Sequence, residues 1–276
     1  MRQMLEEMTR RNGLKYDSPQ SKYFIKDFID THNIDIREIE KRVEDYVSFN
    51  DFFCRKLLPG MRPIAAPSNP GVAVSPADCR CLVFPTISAA TEVWIKGRNF
   101  NLQSMLGDDG MARYYTGGSL FLCRLAPQDY HRFHAPVDGV LGPPRNMDGT
   151  FFSVNPMAVK DENIDVFTEN KRVSFEIESP SFGFVCCVCV GAANVGSIRL
   201  SFLEEGRVGT SIQKGDETGW FQFGGSTVIV LFRKGSIEFD EDLLRNSRKP
   251  METLIRMGMA VGRSTMVPEG DSDGTQ

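Results

Sequence analysis

A chain of 276 residues with 41% apolar and 25% charged side chains lies close to the average of soluble globular proteins and is long enough for one large domain or two small ones. Its formal charge of −4 gives no electrostatic case for binding nucleic acid. The longest apolar runs, FVCCVCV at 184–190 and TVIVLF at 227–232, fall far short of the roughly 20 residues that span a bilayer, and the N-terminal MRQMLEEMTRRNG is too interrupted by charge for a signal peptide.

Residues 1–60 read as a helical segment. Ser18 and Pro19 can start a helix that carries Phe24 and Phe28 one turn apart. Ile36, Ile39, Val43 and Val47 recur at helical spacing and predict one apolar stripe. Phe49, Phe52 and Phe53 form a third apolar cluster. Packing on a core is the plain expectation for this Phe-rich segment; a membrane-facing role is the sharper one.

From residue 61 the texture changes. Short apolar runs such as VAVSPADCRCLVF, LFLCRL, VSFEIES and SIRLSF alternate with Gly, Pro, Asn and Asp, which predicts a strand-rich domain extending to 262. A short helix is expected in NLQSMLG after Phe100, and a short C-terminal helix in PMETLIRMG at 250–258, with Pro250 in its first turn. The polar tail, 263–276, is expected to be disordered. The fold class is therefore α+β. The turns in HAPVDGVL (134–141) and VGTSIQKGDETGWFQFG (208–224) give it a likeness to the barrel-sandwich hybrid of lipoyl and biotinyl carrier domains. The Met-Lys-Met-like tripeptide that carries the cofactor in those domains is missing, which argues against a swinging-arm carrier.

Seven cysteines, an odd number without a CxxC pair, point to a reducing compartment rather than a disulfide framework. Cys79 with Cys81, and Cys187 with Cys189, fit same-face strand positions where thiols act as small hydrophobes.

The candidate chemistry is concentrated. Two of only three histidines, His131 and His134, fall in DYHRFHAP, and histidine is the side chain best suited to move protons near neutral pH. A helical turn through 127–132 would face both rings into one pocket; a strand would split them. With Cys79 and Cys81 they could make a four-ligand zinc site, although the spacing fits no common zinc motif. Asp78, in VSPADCR, is a turn residue or an orienter for a histidine base. Ser226 follows Gly224 and Gly225 inside WFQFGGSTVIVLF, where glycine weakens a strand. The hydrolase elbow GxSxG is incomplete because Val228 stands where its second glycine would be. Glycines only upstream of the serine suit a reaction on the backbone itself, with Ser226 Oγ attacking the Gly225 carbonyl.

Together these residues resemble the phosphatidylserine decarboxylase family. The likeness runs from SFNDFFCRKLLPGMRPI (48–64) through SPADCR (75–80), SLFLCRLAPQDYHRFHAPVDG (119–139) and GWFQFGGSTVIVLF (219–232) to METLIRMG. The resemblance implies a self-processing proenzyme in which Asp78, His134 and Ser226 act on the chain like a serine-protease triad. It implies cleavage between Gly225 and Ser226, giving a β chain that ends at Gly225 and an α chain that begins with a pyruvoyl group made from Ser226. That covalent cofactor would form a Schiff base with the serine amine of phosphatidylserine and accept electrons as CO₂ leaves, yielding phosphatidylethanolamine. His131 is expected to assist decarboxylation and to protonate the carbanion. Expected partners are phosphatidylserine, a membrane surface and the two chains themselves; a homodimer is left open, and the location is either peripheral to a membrane or cytoplasmic. A pyruvoyl-dependent decarboxylase of a free amino acid is the alternative, and a non-catalytic zinc-binding module the more remote one.

Overall fold

The computed structural model describes residues 2–93, 95, 100–154, 165–192, 198–224 and 226–266. The chain opens with helices α1 (Arg2–Asp17) and α2 (Tyr23–His32), then the short α3 (Phe49–Phe53). Asn33, in the left-handed conformation, ends α2, and Ser48 caps α3 by accepting from the Asp51 amide. The periodic stripe from Ile36 to Val47 is not a helix. Ile36–Glu38 and Val43–Asp45 are single 3₁₀ turns, and Val47 is 65% exposed. Backbone pairing overrides the periodicity: Glu40 N donates to Lys56 O and Leu58 N to Glu38 O, which holds the segment extended and brings Ile39 opposite Leu57.

Strands β1 (Val72–Val74) and β2 (Cys79–Phe84) follow, then helices α4 (Ile87–Val93), α5 (Leu102–Leu106) and α6 (Asp109–Tyr115), of which α5 is the helix expected after Phe100. Next come β3 (Ser119–Leu125), β4 (Arg132–His134), β5 (Gly139–Leu141), β6 (Arg145–Met147), the single turn α7 (Val166–Glu169), β7 (Arg172–Ser179), β8 (Gly183–Gly191) and β9 (Ile198–Leu200). The turn α8 (Ser201–Glu204), β10 (Ser211–Ile212), β11 (Glu217–Phe221), β12 (Ser226–Phe232), β13 (Ile237–Phe239), α9 (Glu241–Ser247), β14 (Thr253–Ile255) and β15 (Ala260–Ser264) complete the α+β fold.

The expected helix at 250–258 is a strand in its middle. Thr253–Ile255 pair with Cys79–Cys81 at the open edge of β2, and Glu252 is fixed by Arg124 at 2.5 Å. A free sheet edge outweighs the helical spacing of a nine-residue peptide. The terminal helix lies earlier, as α9, where Glu241 and Asp242 suit its positive N-terminal end and Leu243 is buried.

Among the described residues the strands form three open antiparallel sheets. The largest runs β10-β5-β7-β8-β12-β3-β2-β14, with β6 also on β7; the smaller two are β1-β15-β13 and β4-β11-β9. The two turns that suggested a barrel-sandwich hybrid do meet. Gly215 N donates to Ala135 O, Ala135 N to Asp216 O, and Lys214 N to Asp138 at 2.7 Å. The Lys214 ammonium is tied to the carbonyls of Asn69 and Val72.

β12 is central in the large sheet, paired with β3 and β8 over its whole length. Val228, Val230 and Phe232 point into one apolar cluster, shared with Phe133, Phe221, Phe239 and Val261 of the smaller sheets. Ile229 and Leu231 point into a second cluster, roofed by α4, α5, α6 and α7. A strand buried on both faces reads as a continuous apolar run, which is why TVIVLF shows no alternation. A third cluster joins Ile25, Tyr46, Phe49, Phe52 and Phe53 of the N-terminal segment, with Phe223 packed against it. All seven cysteines are buried and unpaired by disulfide, with Cys79, Cys81, Cys187 and Cys189 in the first cluster. Burial pushes the Cys54 and Cys187 thiols up to about 12. Among the described residues no helix is long and apolar enough to cross a membrane.

Candidate active site

Ser226 is the first residue of β12, opposite Leu125 on one side and Gly191 on the other. Alternation along the strand puts its side chain on the face of Val228 and Val230. The residue is fully buried, and among the described residues its hydroxyl has no hydrogen-bond partner. A buried hydroxyl normally has one; Ser174 and Ser179 share this state, and Ser226 alone of the three follows the glycine pair. Gly224, two residues upstream, has φ of 145°, a conformation that side chains with a Cβ rarely adopt. Gly225, the expected cleavage residue, lies outside the described residues.

His131 precedes β4 and donates from Nδ1 to the Asp129 carbonyl at 2.8 Å. That bond places the proton on Nδ1 and leaves Nε2 with a lone pair. Nε2 is buried without a protein partner, and the ring packs on Phe53 with centroids 4.0 Å apart. Burial, reinforced by the Arg55 charge and opposed by the Asp129 carbonyl, holds the ring neutral with its pKa lowered to about 3.

His134 ends β4. Its Nδ1 donates to the Gly215 carbonyl at 2.8 Å, and its Nε2 lies 3.2 Å from the Tyr130 hydroxyl, which donates to it. Burial lowers its pKa to about 4. Of the two arrangements left open, no helix forms over 127–132: a turn leads into β4, with Phe53 packed on the His131 ring and Tyr130 on the His134 ring.

Asp78 lies just before β2. Arg62 holds it with Nε at 2.9 and 3.0 Å and Nη2 at 2.6 Å, and the Met257 amide donates to it at 2.9 Å. The sequence reading has Asp78 orienting the His134 ring. In the structure that place at Nδ1 belongs to the Gly215 carbonyl, because Arg62 engages the carboxylate. Arg62 is shared in turn with Glu38 at 2.9 Å. Asp78 still lies close enough for its charge to favour protonation of His134.

Tyr130, Gly215 and Arg62 shape the site without standing out in the sequence, and Phe53, which the sequence places only in an apolar cluster, packs on His131. Tyr130 stands four residues before His134 within the histidine block, and Arg62 lies within LLPGMRPI, so their neighbourhood is visible in the sequence and their roles are not. Among the described residues no group of three or more His, Cys, Asp or Glu side chains is placed to hold a metal. Cys79 and Cys81 turn into the core rather than toward a shared ion with the histidines.

The family model for phosphatidylserine decarboxylase matches residues 49–263. The chain is 47% identical over 263 residues to phosphatidylserine decarboxylase proenzyme 3 of Schizosaccharomyces pombe, covering 95% of this chain and 27% of that protein. It is 45% identical over 269 residues to proenzyme 2 of Komagataella phaffii, covering 96% of this chain and 26% of the relative. Against the phosphatidylserine decarboxylase proenzyme of Chlamydia felis it is 47% identical over 240 residues, 87% of this chain and 78% of the relative. The chain thus spans about a quarter of the length of the two fungal relatives and most of the bacterial one. With a buried serine behind glycine and a histidine pair in the same matched span, the chain belongs to the phosphatidylserine decarboxylase family.

Proposed function

We propose that this chain is a self-processing decarboxylase that cuts itself between Gly225 and Ser226, converts Ser226 to a pyruvoyl group and then decarboxylates phosphatidylserine to phosphatidylethanolamine. The observation that carries this reading is the buried, unpartnered Ser226 hydroxyl at the head of a central strand, behind a glycine in a conformation reserved for glycine. In the cutting reaction Ser226 Oγ bonds to the Gly225 carbonyl carbon and the amide nitrogen leaves, taking a proton to become an amine. Loss of the Ser226 Cα proton then expels Oγ with Gly225 as a carboxylate. Water hydrolyses the resulting dehydroalanine, releasing ammonia and leaving pyruvoyl.

We assign His134 to removing the Ser226 proton. Its neutral state supports that role, and it must exchange its Tyr130 hydroxyl bond for the serine. Asp78 supplies charge that stabilises the imidazolium. Exchange of the Ser226 hydroxyl for a carbonyl would break no hydrogen bond to the described residues. When formed, the pyruvoyl supplies a ketone that takes up the substrate amine and an adjoining carbonyl that draws in electrons as the carboxyl departs. His131 is assigned to the substrate carbon: its unpartnered Nε2 is a base that must first take up a proton from solvent, and burial makes the resulting imidazolium a ready donor to the carbon. We further assign residues 1–60 to the membrane-facing side and 61–262 to catalysis. The N-terminal segment exposes Tyr23, 82% accessible, and contributes Tyr16, Phe24, Phe28 and Phe49 to an open cavity that Asp27, Thr31 and His32 also line, which supports contact with a lipid surface.

Denaturing electrophoresis and mass measurement of the purified protein test the proposal. Two fragments divided before Ser226, the smaller with a pyruvoyl mass, are expected. Ser226→Ala and His134→Ala should stay intact, while His131→Ala should be cut yet turn over roughly 10²–10⁴-fold more slowly. An intact wild-type chain with full activity overturns the mechanism. CO₂ release from free amino acids and not from phosphatidylserine vesicles overturns the substrate.

A further inference from the structure

Arg55 follows α3 and is only 4% exposed. Its Nη2 donates to the carbonyls of Gln128 and Asp129 at 3.0 and 3.3 Å. The guanidinium lies over the Phe52 ring at 5.3 Å, but among the described residues its Nε and Nη1 have no hydrogen-bond partner and no carboxylate lies within ion-pair distance. A buried guanidinium without an anion is costly, and such charges are ordinarily paired. The Tyr46 hydroxyl is buried and lacks a well-formed hydrogen bond; the Lys41 amide that approaches its oxygen is itself a donor and leaves the O–H unspent.

Arg55 and Tyr46 line the same cavity, of about 280 Å³. Lys41, Lys56 and Arg132 add positive charge to its wall, against the carboxylates of Glu40 and Asp51. Asp51 is already engaged by Lys41 at 3.4 Å and by the Val47 amide at 3.0 Å, and Arg132 by Glu217 at 2.8 Å. Lys56 is exposed, so the cavity reaches the surface. A space this large, with unspent donors on a net-positive wall, matches an oxyanion with several acceptor oxygens and exceeds what one water needs.

We propose that this cavity is a phosphate-binding subsite in which the Arg55 guanidinium and the Tyr46 hydroxyl are the donors. The phosphate of a lipid headgroup is the source that rests on the function proposed above; free phosphate shares its chemistry. The subsite adjoins the histidine: Phe53, two residues before Arg55, packs on the His131 ring, and Arg132 Nε donates to the Cys54 carbonyl at 2.8 Å. An anion here would offset the Arg55 charge that disfavours protonation of His131.

Calorimetric titration of the purified chain with inorganic phosphate tests this without turnover. Saturable binding is expected, weakened tenfold or more by Arg55→Lys, which keeps the charge and loses the fork, and by Tyr46→Phe, which removes only a hydroxyl from a residue whose ring stays packed. If the phosphate belongs to the lipid headgroup, the same variants raise KM for a soluble short-chain phosphatidylserine by a similar factor, with kcat moving less, and inorganic phosphate competes. Weakened phosphate binding with KM unmoved assigns the subsite to free phosphate. No saturable binding by the wild type, or binding unchanged in Tyr46→Phe, overturns the proposal and leaves a cavity that holds water. A chain that binds phosphate yet never releases CO₂ from the lipid sinks the proposed function and leaves the subsite standing.

Discussion

At the scale of single residues, the two histidines are set by what their Nδ1 atoms touch. Each donates to a backbone carbonyl, so each presents Nε2 as the basic atom. Both are buried and neutral, and this has a cost in acid. Above pH 6.5 neither folded nor unfolded chain protonates them. As pH falls below 6.5 the unfolded chain gains protons that the folded chain resists until about pH 4 at His134 and about pH 3 at His131. Stability therefore declines on acidification through that window, by roughly 1.4 kcal/mol per pH unit for each histidine. Urea unfolding at pH 7, 6 and 5 should show this slope, and His131→Asn or His134→Gln should each flatten it by about one proton. An unchanged slope in both variants would remove the histidines as its cause.

At the scale of elements, β12 decides most. It supplies Ser226 at its head and a doubly buried run behind it. Val230 is completely buried in the sheet between Phe121 and Cys187. Val230→Ala should cost about 2 kcal/mol, by analogy with other buried large-to-small changes. Leu254 is 69% exposed on the edge strand β14, and Leu254→Lys should leave the unfolding free energy within about 0.5 kcal/mol of wild type. Equal losses in thermal or urea unfolding would contradict this account of the core.

Elements with strong local signals were legible in the sequence: the Phe24–Phe28 helix, the NLQSMLG helix, and the strands at LFLCRL, VSFEIES and FVCCVCV. Two stretches misled. Ile36–Val47 and Met251–Gly258 carry helical spacing, yet each spends its backbone hydrogen bonds on a distant partner, Lys56 and Leu58 for one and β2 for the other. Periodicity reports which faces are apolar and is silent about which sheet edge stands open. The same limit applies at the site. Asp78, His131, His134 and Ser226 could be named from residue type and resemblance. The Gly215 carbonyl on His134 could not, because a backbone atom brought in by a turn 81 residues away leaves no mark in side-chain identity.

At the scale of the whole molecule, the N-terminal cluster and the serine strand are mechanically joined. Asn50 of α3 accepts from the Phe223 amide at 2.9 Å and donates to Asp17 of α1 at 2.8 Å, while Phe223 packs on Tyr16 and Phe53. The segment entering Ser226 is thus steadied by the first fifty residues. The position of β12 has a further result. Cutting before Ser226 would free no domain. The 226–276 piece would keep β12 between β3 and β8, β14 on β2 and β15 on β1, interleaved with strands of the other piece in two sheets. The cut protein should sediment as one particle, yet it would have lost a connection that original folding used. Once denatured, its pieces must find each other, so recovery should speed up with protein concentration, whereas the uncut Ser226→Ala chain should recover at a rate independent of it. Concentration-independent refolding of the cut form would show that the pieces fold apart. The sheet that retains the fragments would make maturation a one-way passage: a molecule assembled as one chain and maintained as two.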